Sequence, residues 1–336
     1  MIKVKYFPAL FIAATASFLA GCGDGHDPAP PVSIVATAQA TPTLSTLLSV
    51  AQFASDNNDL VNLLSNPGTL TVFAPSNAAF DALAVELTGN ASAKAADLLT
   101  AANKPFLKTV LQYHVLSSKV TAANIPFGKA FTPAQGSIFK IDSGTPPVIT
   151  DGRNRKANIT ATDIEATNGV VHLIDKVILP ADKTIVATAI ASASAPQFTT
   201  LVAALQFASN SNDLVTALSG TGPLTVFAPT NAAFDLLAKE LTNNTAAVGA
   251  DLLTAGNKQF LRDVLQYHVV QGRFLKAEVP TNTNIGTLLS AGKTLRVSPT
   301  FVITDGRSRT SNITSTDVLN SNGVIHVIDK VILPAL

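Results

Sequence analysis

The sequence contains a single cysteine, Cys22, and no tryptophan. One cysteine cannot close an intramolecular disulfide, and it supplies neither a redox pair nor the thiolate cluster of a zinc site. Charge is scarce too. Asp, Glu, Lys and Arg make up 13% of the residues, where about 25% is usual, and the formal net charge is +1. The charges are scattered, so no basic stripe is available to displace counterions from a polynucleotide, which argues against nucleic-acid binding. There are only five histidines, and no G-x-S-x-G elbow, H-E-x-x-H pair or zinc-like His/Cys spacing. A hydrolase needs a nucleophile, a base and an orienting carboxylate. These absences lead to the expectation of a protein that is not an enzyme and uses no cofactor or metal. The uncharged, largely apolar run "YFPALFIAATASFLAG" (6–21) has 16 residues, short of the ~20 that span a bilayer as a helix.

That run has another reading. Lys3 and Lys5 precede it and small residues close it, the pattern of a secretory signal over residues 1–22. Its end, "LAGC" (19–22), resembles the lipobox of bacterial lipoproteins, which implies cleavage before Cys22 and lipidation of that residue. At ~0.8 kcal/mol per buried CH₂, several acyl chains anchor a protein stably. By the resembled sorting rule, Gly23 in place of Asp points to the outer membrane. The expectation is an exported protein, lipid-anchored in a bacterial cell envelope, at the outer membrane or cell surface. Residues 23–32, rich in Gly and Pro, read as a disordered tether.

The rest of the chain is written twice. "TVFAPSNAAF" (71–80) returns as "TVFAPTNAAF" (225–234), "LQYHV" (111–115) at 265–269, "ITDGR" (149–153) at 303–307 and "DKVILP" (175–180) at 329–334, each 154 positions on. So long a period means tandem globular domains, over 33–180 and 184–334, and not a solenoid. Only "ADK" (181–183) separates them, short enough for the two bodies to touch.

Within a repeat the period changes. Leu44, Leu47, Leu48 and Ala51 have helical spacing. "LTVFAP" (70–75) reads as a short strand, followed by a helix capped by Ser76 or Asn77 with Phe80, Leu83, Ala84 and Leu87 inward. A further helix over 103–115, capped by Asn103, puts Leu107, Val110, Leu111 and His114 on one face. Beyond about residue 120 the pattern is of strands. Asp151-Gly152 and Asn168-Gly169 mark turns, "ITDGR" reads as a hairpin with a polar tip, and "VVHLIDKVILP" (170–180) as a nearly continuous strand. Helices first and strands later predict an α+β fold with antiparallel pairing. "SAGKTL" (290–295) is no P-loop, because Gly286 stands one position too far upstream; counted by the repeat, Gly292, Lys293 and Thr294 answer to Ile138, Phe139 and Lys140.

"TVFAPSNAAF", Tyr113-His114 and "NGVVHLIDKVILP" (168–180), with "TVFAPTNAAF", Tyr267-His268 and "NGVIHVIDKVILP" (322–334), resemble the signature boxes and tyrosine–histidine motif of the fasciclin domain family. The resemblance implies two compact β-sheet wedges or sandwiches with packed helices, extracellular display, and a role in adhesion without enzymatic activity. In vertebrate members the tyrosine–histidine region is linked to integrin binding, so Tyr113, His114, Tyr267 and His268 are the candidate binding residues. The residues themselves give a second reading: His114 sits on an apolar helix face, and His172 in a dense apolar strand faces away from Asp175. Both are expected to be hydrogen-bonded core groups. The expected function is adhesion, or binding of an extracellular protein or polysaccharide, with the membrane reached through the lipidated N-terminus. The alternative is a carrier or sensor of an apolar small molecule, held in a groove between the domains.

Overall fold

The computed structural model describes residues 32–192, 197–210, 213–289 and 292–336. The expected lipidation of Cys22 and the tether before Val32 lie outside them. The first repeat opens with α1 (Ile34–Ala40), α2 (Ser45–Ala54) and α3 (Asp59–Ser65), runs through β1 (Leu70–Pro75), and continues into α4 (Asn77–Thr88) and α5 (Lys104–Tyr113). The strands β2 (Val115–Leu116), β3 (Ala130–Phe131), β4 (Phe139–Asp142), β5 (Val148–Thr150), β6 (Lys156–Ala166) and β7 (Gly169–Ile174) complete it. The second repeat follows the same order: α6 (Ile185–Ser192), α7 (Thr199–Ala208), α8 (Asp213–Ser219), β8 (Leu224–Pro229), α9 (Asn231–Thr242) and α10 (Lys258–Tyr267). Its remaining strands are β9 (Val269–Gln271), β10 (Asn284–Gly286), β11 (Thr294–Val297), β12 (Val302–Thr304), β13 (Thr310–Asn320) and β14 (Gly323–Ile328). The α+β class holds in both.

Each repeat folds its seven strands into one sheet, in the orders β2-β1-β7-β6-β5-β4-β3 and β9-β8-β14-β13-β12-β11-β10. Most neighbours are antiparallel, as expected, but β1 pairs with β7 in parallel from Leu70↔Gly169 to Pro75↔Ile174, and β8 with β14 likewise. The long excursion between β1 and β7 gives the chain room for the crossover that parallel neighbours require. Both strands of this pair are buried on both faces, which accounts for their unbroken apolar runs. Val72 and Ala74 face the core formed with Leu47, Phe80, Leu83, Leu107 and Val110 on the helices. Phe73 faces the other way, onto Tyr113, Phe139, Ile149 and Ile174. There it meets Phe139 edge-on, with ring centroids 5.3 Å apart.

The start of α4 follows the sequence closely. Ser76 Oγ accepts from Ala79 N at 3.2 Å, and Thr230 repeats the cap on Ala233. Asn77 does other work: its side chain accepts from Thr46 N and donates to Pro42 O and Ser45 Oγ, tying α4 to α2. Asn103 occupies the cap position of α5, but its side chain donates to Leu98 O and caps nothing. Leu87 is not inward; it is 43% exposed, on the last turn before the Gly89 cap. The predicted strand over 170–180 ends at Ile174, yet Val177, Ile178 and Leu179 remain fully buried without strand pairing. Buried main chain outside a sheet must find partners elsewhere.

Candidate functional site

Those partners are the repeated motifs. The Nδ1 of His114 lies 2.7 Å from Val110 O, and its Nε2 accepts the Ile178 N–H at 3.1 Å. The imidazole is therefore neutral, with its proton on Nδ1. Burial pushes its pKa down to about 4, with the Val110 carbonyl opposing in part. Tyr113 donates to Ile138 O at 2.6 Å and accepts from Gly152 N at 2.9 Å, and burial raises its pKa well above 10.0. Asp151 is not a polar hairpin tip: it is 1% exposed. Its Oδ1 accepts from Arg153 N and Arg155 N, and its Oδ2 from Leu179 N and Arg155 Nε. Gly152 N donates to Leu179 O at 3.0 Å, an approach so close that a Cβ at Gly152 would lie 2.2 Å from Ala181 N.

The second repeat rebuilds this node. His268 Nδ1 lies 2.6 Å from Val264 O, and Nε2 accepts from Ile332 N at 3.1 Å. Asp305 accepts from Arg307 N, Arg309 N and Leu333 N. Tyr267 donates to Thr294 O. Tyr113, His114, Tyr267 and His268 are thus at most 2% exposed. The histidines tie the ends of α5 and α10 to the buried "VILP" segment, the tyrosines tie the same helices to Ile138, Gly152 and Thr294, and none of the four faces solvent. His172 and His326 are struts as well, each accepting at Nδ1 the N–H of Asp163 or Asp317 and reaching with Nε2 to Val120 O or Phe274 O. Asp175 binds Asn158 on the opposite side from His172, as alternation along the strand requires.

The turn residue Asn168 is also more than a turn. It is 2% exposed, accepts from Ile34 N and donates to Leu64 O and Asn66 O, fastening α1 and α3 to the sheet; Asn322 does the same in the second repeat.

The two repeats meet along a seam that the sequence reading does not locate. Lys140 Nζ lies 2.8 Å from Asp142 and 2.9 Å from Asp317 of the other repeat. The side chains of Lys140 and Asp317 are 11% and 3% exposed. Burial alone would lower the lysine's pKa; bonds to Asp142 and Asp317 outweigh it and raise it, so the charge is retained. Asp317 Oδ1 also accepts from Lys276 N at 2.6 Å. Asn154 clasps Leu319 in the manner of a strand, accepting its N–H at 2.7 Å and donating to its carbonyl at 3.0 Å. Ala130 N donates to Glu278 Oε1, while Ile138, Leu275, Leu319 and Val324 form a small apolar patch beside the ion pair.

A signal for this seam exists in the places where the copies differ. By the repeat, Leu275 and Leu319 answer to Thr121 and Glu165, and Asn154 to Ser308. Strand pairing corrects one correspondence. Lys140 faces Thr150 as Arg296 faces Thr304, and Tyr113 bonds Ile138 O as Tyr267 bonds Thr294 O. Lys140 therefore matches Arg296, not Thr294. The second repeat is two residues longer before β11 and correspondingly shorter after it, a compensation invisible to a constant period.

Lys140→Met keeps the stem's packing but leaves the Asp317 carboxylate without its cation. An unmatched buried charge costs at least about 1–3 kcal/mol. The expected result in scanning calorimetry is one coupled transition resolving into two, with the second repeat melting first.

Beside the seam, Arg153, Asn154, Asp182, Lys183 and Thr188 line an open cleft of about 530 Å³. This cleft is mostly polar. Among the described residues no three of His, Cys, Asp or Glu gather as a metal-holding group.

The sequence model of the family described as Fasciclin domain matches residues 42–180 and 196–334. Transforming growth factor-beta-induced protein ig-h3 of Sus scrofa is 31% identical over 274 residues, covering 81% of this chain and 35% of its own length. Protein sll1483 of Synechocystis is 44% identical over 150 residues, covering 44% of this chain and 74% of its own. A solved structure of a FAS1 domain pair from the insect cell adhesion molecule fasciclin I aligns with a TM-score of 0.39 at 20% identity, over 87% of this chain and 97% of that one. The chain thus spans about a third of the length of ig-h3.

Proposed function

Because the chain belongs to the fasciclin domain family, we propose that it is an exported, non-enzymatic binding protein of adhesion type, tethered to a bacterial envelope through lipidated Cys22. Its partner is an extracellular protein or polysaccharide. The observation that carries this reading is the division of labour between buried and exposed residues. The tyrosine–histidine motifs and the "TDGR" carboxylates are consumed in holding main chain together, with each histidine nitrogen already engaged. The seam joins the two repeats through an ion pair, a strand-like clasp and an apolar patch. What remains for a partner is the exposed polar surface of a paired body, which includes the cleft with Arg153 and Lys183 at the joint. Tyr113, His114, Tyr267 and His268 support that surface from within.

The test is a deletion strain complemented with the wild type, Cys22→Ser or Lys183→Glu, scored for cell–surface attachment and for retention of the protein in the membrane fraction. Attachment restored by wild type alone is the expected result, with Cys22→Ser released from the membrane and Lys183→Glu retained there but attaching less. Attachment unchanged between the deletion strain and its parent would end the adhesion reading.

A further inference from the structure

An apolar cavity distinguishes the two repeats. In the second, a space of about 70 Å³ lies among Ile190, Val202, Leu205, Leu218 and Val269, and one of about 140 Å³ adjoins it against Ala217 and Leu288. Leu205, Leu218, Leu265 and Val269 line both, so the two adjoin along shared walls as the compartments of an apolar chamber between α6, α7, α8, α10 and the β8/β9 edge. In the first repeat the same location, walled by Leu47, Ala51, Leu60, Leu63, Leu64 and Val115, holds only about 20 Å³.

Besides Leu48, which becomes Val202 in the lining, three differences between the copies account for the contrast. Leu63, 38% exposed across the mouth of the small cavity, becomes Ala217. Gln39 becomes Ile190, which is 50% exposed on the rim. Ala134 becomes Leu288, an added apolar wall; both residues donate their N–H to the start of the following edge strand, at Val115 O and Val269 O. Each change opens the chamber or makes it more apolar. Gln206 and Gln266 also border it, but the exposed lining is almost wholly apolar, and both ring nitrogens of His268 are already bonded to main chain.

We propose that the second repeat, and not the first, binds a small uncharged hydrocarbon group in this chamber, the size of benzene or a short alkyl chain. A dry cavity of ~150 Å³ lined by Leu, Ile and Phe takes benzene or xenon, and the larger compartment of this chamber is of that size. The group is held by dispersion and by exclusion from water, with Ala217 and Leu288 against the larger compartment and Ile190 against the smaller. Its lining residues are distinct from those of the seam and the cleft, although α6 serves both, with Ile190 on the chamber and Thr188 on the cleft.

The experiment is benzene titration of the full-length protein followed by methyl NMR, with Ala217→Leu and Ile190→Gln as variants. Both variants install the residue that the first repeat already folds with. Saturable shifts confined to methyls of the second repeat are expected in the wild type. Affinity should fall by at least about tenfold in Ala217→Leu and by less in Ile190→Gln. Absence of saturable shifts in the wild type, or undiminished binding by a folded Ala217→Leu, would overturn the assignment. Should Ala217→Leu not fold, Ile190→Gln decides: unweakened binding there overturns it too. Free hydrocarbon and the end of a lipid acyl chain share this chemistry. With Cys22→Ser as the background for both proteins, so that no N-terminal lipid anchors them, co-sedimentation with phosphatidylcholine vesicles that Ala217→Leu loses supports the site with a lipid source, and benzene binding without vesicle binding supports it with a free one.

Discussion

Asp151→Ala is expected to cost the first repeat about 3–5 kcal/mol, the range for removing one member of a buried charged pair. The carboxylate is 1% exposed, and its loss strips Leu179 N, Arg153 N and Arg155 N of their acceptor at a single stroke. It also leaves the Arg155 guanidinium, 17% exposed, with Glu86 as its remaining ionic partner. The consequence reaches a segment with no strand pairing of its own. Val177–Leu179 is held by Asp151, His114 and Arg155, and freeing one end exposes fully buried apolar side chains. Asp305→Ala removes the matching main-chain bonds, but Arg309 pairs with Glu240 and not with Asp305, so the second repeat should lose less. Urea unfolding of the two variants measures the difference; equal losses would mean that the guanidinium contributes nothing.

The second large effect is acid sensitivity. Burial holds His114 and His268 at a pKa of about 4 in the folded protein, against 6.5 for the free side chain. Between those values the unfolded chain takes up protons that the folded chain refuses. Stability is therefore full above about pH 6.5 and falls as the pH drops towards 4, by roughly 3 kcal/mol per histidine. His172 and His326, also lowered by burial, act with the same sign. The structural cause is geometric: a proton on Nε2 of His114 would point a donor at the Ile178 N–H that this nitrogen now accepts. Melting followed from pH 7 to pH 4.5 should show both repeats losing on the order of 10 °C. A melting temperature constant over that window would remove these histidines from the account.

The parts of this fold that were legible in the sequence are the parts with a period or a local code. Helical spacing placed α2 and α5, and a hydroxyl before Asn77 and Asn231 marked the caps of α4 and α9. Repetition of four motifs showed two domains of one kind, and the inward histidines were readable from their apolar neighbours. Asp151 and Asn168 were harder. A carboxylate in a D-G turn looks the same whether it points to water or gathers distant main-chain N–H groups, because its partners, such as Leu179, are set by tertiary approach. The parallel pairing of β1 with β7 has the same origin, since direction depends on where the intervening chain crosses. Lys140 and Asp317 were illegible for another reason. Each is an isolated charge in an ordinary setting, and only their meeting across the seam gives them meaning. The two-residue shift around β11 further hid that Lys140 and Arg296 occupy one position.

That correspondence bears on how many such domains can be strung together. The seam joins one face of the first repeat to a different face of the second, and contacts of that head-to-tail kind propagate into filaments unless something stops them. Here both outer ends keep the charge and lose the grip. Arg296 stands exposed where Lys140 is buried, and Asp163 is exposed where Asp317 is buried. The apolar and clasping residues are gone, with Thr294, Asn284 and Ser308 for Ile138, Ala130 and Asn154 on one end, and Thr121, Asn124 and Glu165 for Leu275, Glu278 and Leu319 on the other. A solvent-exposed ion pair alone contributes about 0–1 kcal/mol, so neither outer face carries the set of residues that makes the seam between the two repeats hold.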